Sequence, residues 1–178
     1  YYTYTVTPVF GKPKNLEYRK GCSIKIKTPS DKVGNHSVFF NRGVAGSLAY
    51  ARKFKNKRPG ENMSEKETKA ALKWLSRGLE EALIEFIQSA KDSTYELKAA
   101  VYEFEYLPVL EAFKDAYEDR KVDVKIIYDA RGERDANNHA INEVGLEPSI
   151  LFPRDSETEK GYLSHNKFII LQKDNKPI

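Results

Sequence analysis

The spacing of hydrophobic positions changes along the chain and separates predicted strands from predicted helices. Within residues 1–30 apolar and polar side chains alternate, as in Ser-Ile-Lys-Ile-Lys at 23–27, a pattern typical of short antiparallel strands. Between 71 and 87 the apolar side chains recur at helical spacing. Ser64-Glu65-Lys66-Glu67 precedes them and has the pattern of a capping box, so a helix is predicted to begin there.

The second half of the chain has the order of a βαβ unit. A β-like stretch covers 97–104, Pro108 suits the first turn of a helix, and an apolar strand follows at 122–128. Parallel strands joined by a helical crossover predict an α/β sheet that binds ligands at the carboxyl ends of its strands. Residues 130–164 are polar, with a weak helix around 136–144, and form a long excursion before the last strand.

A basic linker marks the predicted domain boundary. Lys-Phe-Lys-Asn-Lys-Arg-Pro-Gly at 53–60 has the composition of a connecting segment, which predicts a β-rich N-terminal segment and linker over 1–60 and an α/β domain over 61–178. At the other end, the turn signal at 173–176 is followed by only two residues. We therefore expect the chain to be a fragment, with the rest of a returning strand beyond Ile178.

Composition excludes several classes of protein. The 178 residues include 30 Lys+Arg and 26 Asp+Glu, and the resulting net charge of +4 suits a phosphate-bearing substrate without implying nucleic-acid binding by itself. Neither a membrane-spanning stretch nor a signal peptide is visible, so a cytoplasmic protein is expected. A single cysteine and three histidines lack zinc-site spacing, and we expect neither a metal nor a cofactor.

An imidazole and an ammonium group stand at the start of the last apolar strand. Because strand side chains alternate, His165 and Lys167 are expected to project from one face, roughly 6–7 Å apart. One phosphate could contact both side chains. An uncharged His165 would attack phosphorus while Lys167 stabilises the phosphoryl oxygens, which predicts phosphoryl transfer through a phosphohistidine.

These residues resemble the signature of the phospholipase D superfamily, His-x-Lys followed after four further residues by Asp. His165, Lys167 and the apolar residues 168–171 agree with it, and Gln172 occupies the position of the Asp. The predicted strands and helix upstream are similar to the core βαβ unit of that family, so the resemblance covers about residues 70–178. It implies a mixed sheet of βαβ units flanked by helices, and it implies that Gln172 affects local order more than chemistry.

The same resemblance implies an activity and a partner. It implies hydrolysis or transfer of a phosphodiester, from nucleic acid or phospholipid, through His165. The general acid would come from a second His-x-Lys copy, supplied by a missing C-terminal region or by a homodimer partner, because this chain has one copy. We therefore expect the chain to be nearly inactive as a monomer. Gln172 leaves an alternative open, a non-catalytic interaction or anion-binding domain with the same fold.

Three further side chains are candidate substrate contacts. Arg42 lies in Phe39-Phe40-Asn41-Arg42-Gly43, which resembles a segment of bacterial phospholipase D-like proteins, and it would meet a phosphate or else lie in solvent. Glu103 ends a predicted strand, and Asp129 lies at a carboxyl end, where its other interpretation is a turn cap. Tyr102 is predicted to be a core residue rather than a stacking platform.

Overall fold

The computed structural model describes residues 2–27, 31–43, 46–155 and 165–178. The chain divides into two compact units, Tyr1–Phe39 and Phe40–Ile178, so the basic linker at 53–60 lies within the second unit. Helices and strands make a mixed α/β protein, as expected. In the described residues no helix combines the length and apolar character needed to cross a bilayer.

The first unit consists of antiparallel strand pairs, which confirms the strands predicted from alternation. β1 pairs with β4, β2 with β3, and β5 with β6. The strands are β1 (Tyr2–Val6), β2 (Val9–Lys12), β3 (Asn15–Tyr18), β4 (Cys22–Ile26), β5 (Lys32–Val33) and β6 (His36–Ser37). Their side chains are all exposed.

The second unit begins with helices α1 (Leu48–Phe54), α2 (Glu65–Ser76) and α3 (Leu79–Gln88). The capping box is confirmed: the Ser64 hydroxyl accepts the Glu67 amide at 3.3 Å, and the Glu67 carboxylate accepts the Ser64 amide at 2.8 Å. Arg77, the C-cap of α2, has a left-handed φ of 54°, and Gly78 is the N-cap of α3. The apolar positions at helical spacing between 71 and 87 therefore belong to two helices separated by a turn.

A mixed five-stranded sheet forms the centre of the second unit, in the order β11-β10-β7-β8-β9. Its elements in chain order are β7 (Tyr95–Val101), α4 (Leu107–Glu118), β8 (Asp123–Asp129), α5 (Arg134–Val144), β9 (Leu151–Arg154), β10 (Lys167–Lys173) and β11 (Lys176–Pro177). β7 and β8 are parallel and α4 connects them, which confirms the predicted βαβ unit. β10 runs antiparallel to β7 and turns into β11, as the hairpin signal predicts.

The interpretation of residues 130–164 as a polar excursion is wrong in one part, because it contains β9. This strand is parallel to β8 and lies at the edge of the sheet. Its four residues include Pro153, which has no amide proton to donate and so suits an edge strand. A strand this short, with a proline inside it, does not show the apolar alternation by which strands are recognised.

The core lies on one face of the sheet, against α3, α4 and α5. The central buried residues of that face are Leu97, Ala99, Val124, Ile126 and Leu171, and Leu110 and Phe113 of α4 pack over them. Side chains of the opposite parity remain largely exposed, among them Ile127, Phe152, Phe168 and Ile170. Strand alternation therefore produces one covered face and one open face.

A buried carboxamide connects the carboxyl ends of β7 and β8 to α5. Asn137 is 0% exposed. Its Oδ1 accepts the Phe104 amide at 2.6 Å, and its Nδ2 donates to the carbonyl oxygens of Tyr102 and Asp129, both at 2.9 Å. One side chain thus satisfies three backbone groups that the ends of the two strands leave unpaired.

We predict that Asn137→Ala lowers the free energy of unfolding by about 2–4 kcal/mol, because it leaves these buried groups without partners. The matched control is Asn138→Ala on the same helix. Asn138 is half-buried and only accepts the Tyr128 hydroxyl, at 3.3 Å, so its loss is expected to cost less than about 1 kcal/mol. Urea unfolding followed by far-UV circular dichroism measures both, and equal losses would contradict the prediction.

Candidate functional site

The sheet register determines where the His-x-Lys segment lies. Lys167, the first residue of β10, pairs with Val101, the last residue of β7, and Val101 in turn pairs with Tyr128 near the end of β8. Because β10 runs opposite to its neighbours, its start lies beside their carboxyl ends. The segment is therefore located where the sequence predicts it, at the edge at which α/β sheets bind ligands.

His165 and Lys167 meet at one aromatic ring, that of Tyr102. The centres of the His165 and Tyr102 rings are 5.0 Å apart, with an interplanar angle of 54°. Lys167 Nζ lies 5.0 Å from the centre of the same ring, within the range of a cation–π interaction. Both basic side chains are exposed to solvent.

The Tyr102 hydroxyl lies beside the loop that precedes α5, since a methyl group at Gly132 would be 3.0 Å from its oxygen. Partial burial and the neighbouring Glu133 carboxylate raise the pKa of Tyr102, and the charges of Asp129 and Glu103 raise it further. The phenol is therefore neutral at physiological pH. The end of β7 thus lies beside the loop that follows β8.

Asp129 acts as a cap of that loop. It is 7% exposed, and its Oδ2 accepts the amides of Arg131, Gly132 and Glu133 at 3.2, 2.7 and 3.0 Å. The geometry thus agrees with the turn-cap interpretation of this residue. Its carboxylate is engaged by the loop backbone that presents Glu133 to Tyr102.

The other two candidate contacts lie in different surroundings. The Arg42 guanidinium lies 4.3 Å from the centre of the Trp74 ring and donates to the Trp74 carbonyl, so Arg42 is held by α2. Glu103 is exposed and, with Lys167, lines a largely apolar groove of about 420 Å³ beside α3 and α4. The structure places Glu103 in the same groove as Lys167 and places Arg42 against α2.

Gln172, at the position of the motif Asp, belongs to a cross-strand polar network. Its Oε1 accepts a hydrogen bond from Lys98 Nζ at 2.6 Å, and Lys98 also forms an ion pair with Glu96 at 2.8 Å. A glutamine can therefore link β10 to β7 at this position without a carboxylate.

No three His, Cys, Asp or Glu side chains in the described parts of the chain are grouped so that they could hold a metal ion. His139 of α5 approaches Glu143 of the same helix, with Nε2 3.7 Å from the carboxylate. Ser164 and the rest of 156–164, the end of the predicted excursion, lie outside the described residues.

Compared with protein-family models, with curated proteins and with solved structures, the chain matches none of them. The site is therefore described from its own geometry. Within it, sequence reasoning missed Glu133 and Asn137 and predicted Tyr102 to be a core residue. The position of Tyr102 directly after β7, at the carboxyl edge, is the signal that would have identified it.

We predict that Asp129→Ala lowers the free energy of unfolding by about 1–3 kcal/mol, because three backbone amides lose their acceptor. Asp129→Asn retains one acceptor oxygen and is expected to lose less. Asp135→Ala, an exposed aspartate in the first turn of α5, is the matched control, with a change within about 0.5 kcal/mol. Denaturant unfolding measures the free energy of unfolding of each variant. If Asp129→Ala is as stable as wild type, Asp129 does not stabilise the loop as a cap.

Proposed function

We propose that the protein hydrolyses or transfers a phosphodiester, of nucleic acid or phospholipid, through a phosphohistidine on His165, with Lys167 binding the phosphate. The observation that carries the proposal is the convergence of both exposed basic side chains on the Tyr102 ring at the carboxyl edge of the sheet. A phospholipase D-like arrangement of the sheet is part of the proposal. The parallel pair β7 and β8, crossed over by α4 and flanked by antiparallel β10, supports it.

The chemistry proceeds in two displacements. A ring nitrogen of neutral His165 attacks phosphorus, the bond from phosphorus to the leaving oxygen breaks, and that oxygen takes a proton from a general acid. Water or an alcohol then attacks the phosphohistidine, loses its proton to a base, and the nitrogen–phosphorus bond breaks. Lys167 stabilises the phosphoryl oxygens in both steps by its charge. The acid belongs to a second His-x-Lys copy, from a homodimer partner or from further sequence.

One observation favours the second candidate function, a non-catalytic anion-binding domain. Among the residues that the structure describes, no side chain forms a hydrogen bond with the His165 imidazole. Histidines that act as nucleophiles or bases are commonly oriented by such a partner, although free enzymes often show these bonds long or unformed. Binding a phosphate needs only the exposed positive charge, whereas attack on phosphorus needs a directed nitrogen.

Trapping the intermediate tests the proposal. Incubation with a chromogenic phosphodiester followed by rapid alkaline quenching is expected to give an acid-labile phosphorylated peptide containing His165, detected by mass spectrometry. His165→Asn is expected to abolish the label because it removes the nucleophile. His139→Asn, an exposed histidine of α5, is the matched control and is expected to keep it. Phosphate binding without any label would favour the anion-binding domain.

We further predict that turnover persists in excess EDTA or 1,10-phenanthroline, because the nucleophile is the imidazole and Lys167 supplies the positive charge. Release of the chromogenic alcohol, measured before and after chelation and dialysis, is expected to be the same. Loss of turnover with chelator that added zinc or magnesium restores would contradict the histidine mechanism.

A further inference from the structure

The Tyr102 ring is the one surface that both basic residues of the candidate site share within the described chain. His165 lies against it at 5.0 Å and Lys167 Nζ lies over it at 5.0 Å. Both side chains are otherwise exposed; Lys167 begins β10 and His165 lies two residues before it. An exposed lysine and an exposed imidazole would normally sample several rotamers, so contact with the same ring restricts the rotamers of both.

Tyr102 is itself fixed from two directions. Asn137 Nδ2 donates to its carbonyl oxygen at 2.9 Å and holds its backbone. The far end of its side chain lies against the loop before α5, where a methyl group at Gly132 would be 3.0 Å from the hydroxyl oxygen and the nearby Glu133 carboxylate raises the pKa of the phenol. Glu133 is held in turn, because its amide donates to Asp129.

The loop leaves just enough room for this tyrosine. A methyl group added at Gly132 would lie 3.0 Å from the Tyr102 hydroxyl oxygen, closer than most real side-chain contacts. Residue 132 therefore controls where the hydroxyl lies. Gly132→Ala is expected to displace the Tyr102 side chain. The variant still contains Tyr102, His165 and Lys167.

We propose that Tyr102 is the positioning residue of this site, held by Glu133 and Asn137, and that its ring orients His165 and Lys167 toward one phosphate. Its effect on catalysis rests on the proposed function, whereas its effect on phosphate binding does not. An aromatic ring orients an imidazole without a hydrogen bond, and this accounts for the absence of a hydrogen-bonding partner for His165 within the described residues. Tyr102 acts through the two basic residues and need not contact the substrate.

Nuclear magnetic resonance tests the geometry. The His165 ring protons are expected to carry a ring-current shift from Tyr102, which Tyr102→Leu removes and Tyr102→Phe retains. The matched control is Tyr128→Phe, since Tyr128 lies next to the end of the neighbouring strand β8 and its hydroxyl donates a hydrogen bond to Asn138 at 3.3 Å. It is expected to leave the His165 signals unchanged. Backbone amide spectra show that each variant is folded.

Titration with inorganic phosphate tests the consequence for binding. Tyr102→Leu is expected to weaken binding about two- to fivefold, the effect of losing one cation–π contact that holds Lys167. Tyr102→Phe keeps the ring and is expected to bind as wild type does.

Single-turnover formation of the phosphohistidine is expected to fall on the order of 10–100-fold in Tyr102→Leu, because a misdirected nitrogen attacks phosphorus poorly. Gly132→Ala should fall between Tyr102→Phe and Tyr102→Leu, because the added methyl group crowds the Tyr102 hydroxyl.

The results of these experiments distinguish the positioning role of Tyr102 from the proposed phosphodiesterase function. If wild type binds phosphate but forms no phosphohistidine, the proposed function is wrong, and the ring-current and phosphate measurements still decide the role of Tyr102. If Tyr102→Leu keeps the His165 shift, or loses it with unchanged phosphate binding and phosphohistidine formation, Tyr102 is not a positioning residue. Loss of the His165 shift in Tyr128→Phe to the extent seen in Tyr102→Leu would likewise overturn it. Should Tyr102→Leu fail to fold, Gly132→Ala provides a second test, because the added methyl group crowds the Tyr102 hydroxyl.

Discussion

Buried within α5, the Asn137 carboxamide joins backbone groups at the ends of two different strands. Parallel strands stop pairing at their carboxyl ends, and the groups left there must find partners or face water. Asn137 supplies those partners at Tyr102, Phe104 and Asp129. The backbone groups at the carboxyl ends of β7 and β8 are thereby paired, and the direction in which the chain leaves β7 is fixed. The position of Tyr102, and through it the candidate site, depends on this connection.

A series of contacts connects the buried Asn137 to the solvent-exposed side chains of the candidate site. Asp129 accepts three backbone amides of the loop before α5, and this loop places the Glu133 carboxylate near the Tyr102 hydroxyl, whose pKa it raises. The ring of Tyr102 then meets His165 and Lys167, which arrive on antiparallel β10. Buried and half-buried residues thus orient two exposed ones. Such an arrangement suits a site that must stay open to a phosphate while keeping its basic groups in place.

Local patterns predicted much of the fold correctly. The capping box at Ser64, the βαβ order and the hairpin after β10 each depend on neighbouring residues, so the sequence displays them directly. β9 was missed because a four-residue edge strand with a proline has no apolar pattern of its own. Tyr102 was assigned to the core because an aromatic residue beside a strand usually packs there. Its hydroxyl partner, Glu133, lies in a loop that no local pattern connects to it.

The amino-acid order was sufficient to place His165 and Lys167 together at the start of one strand, because they are two residues apart and β10 begins at Lys167. It was also sufficient to place them at the carboxyl edge of a sheet, since the βαβ order specifies that edge. Which other residues meet them there depended on register, on the antiparallel direction of β10 and on the loop before α5. These are relations between segments distant along the chain, and packing and hydrogen bonding of the folded protein alone bring Tyr102, Glu133 and Asn137 to that place.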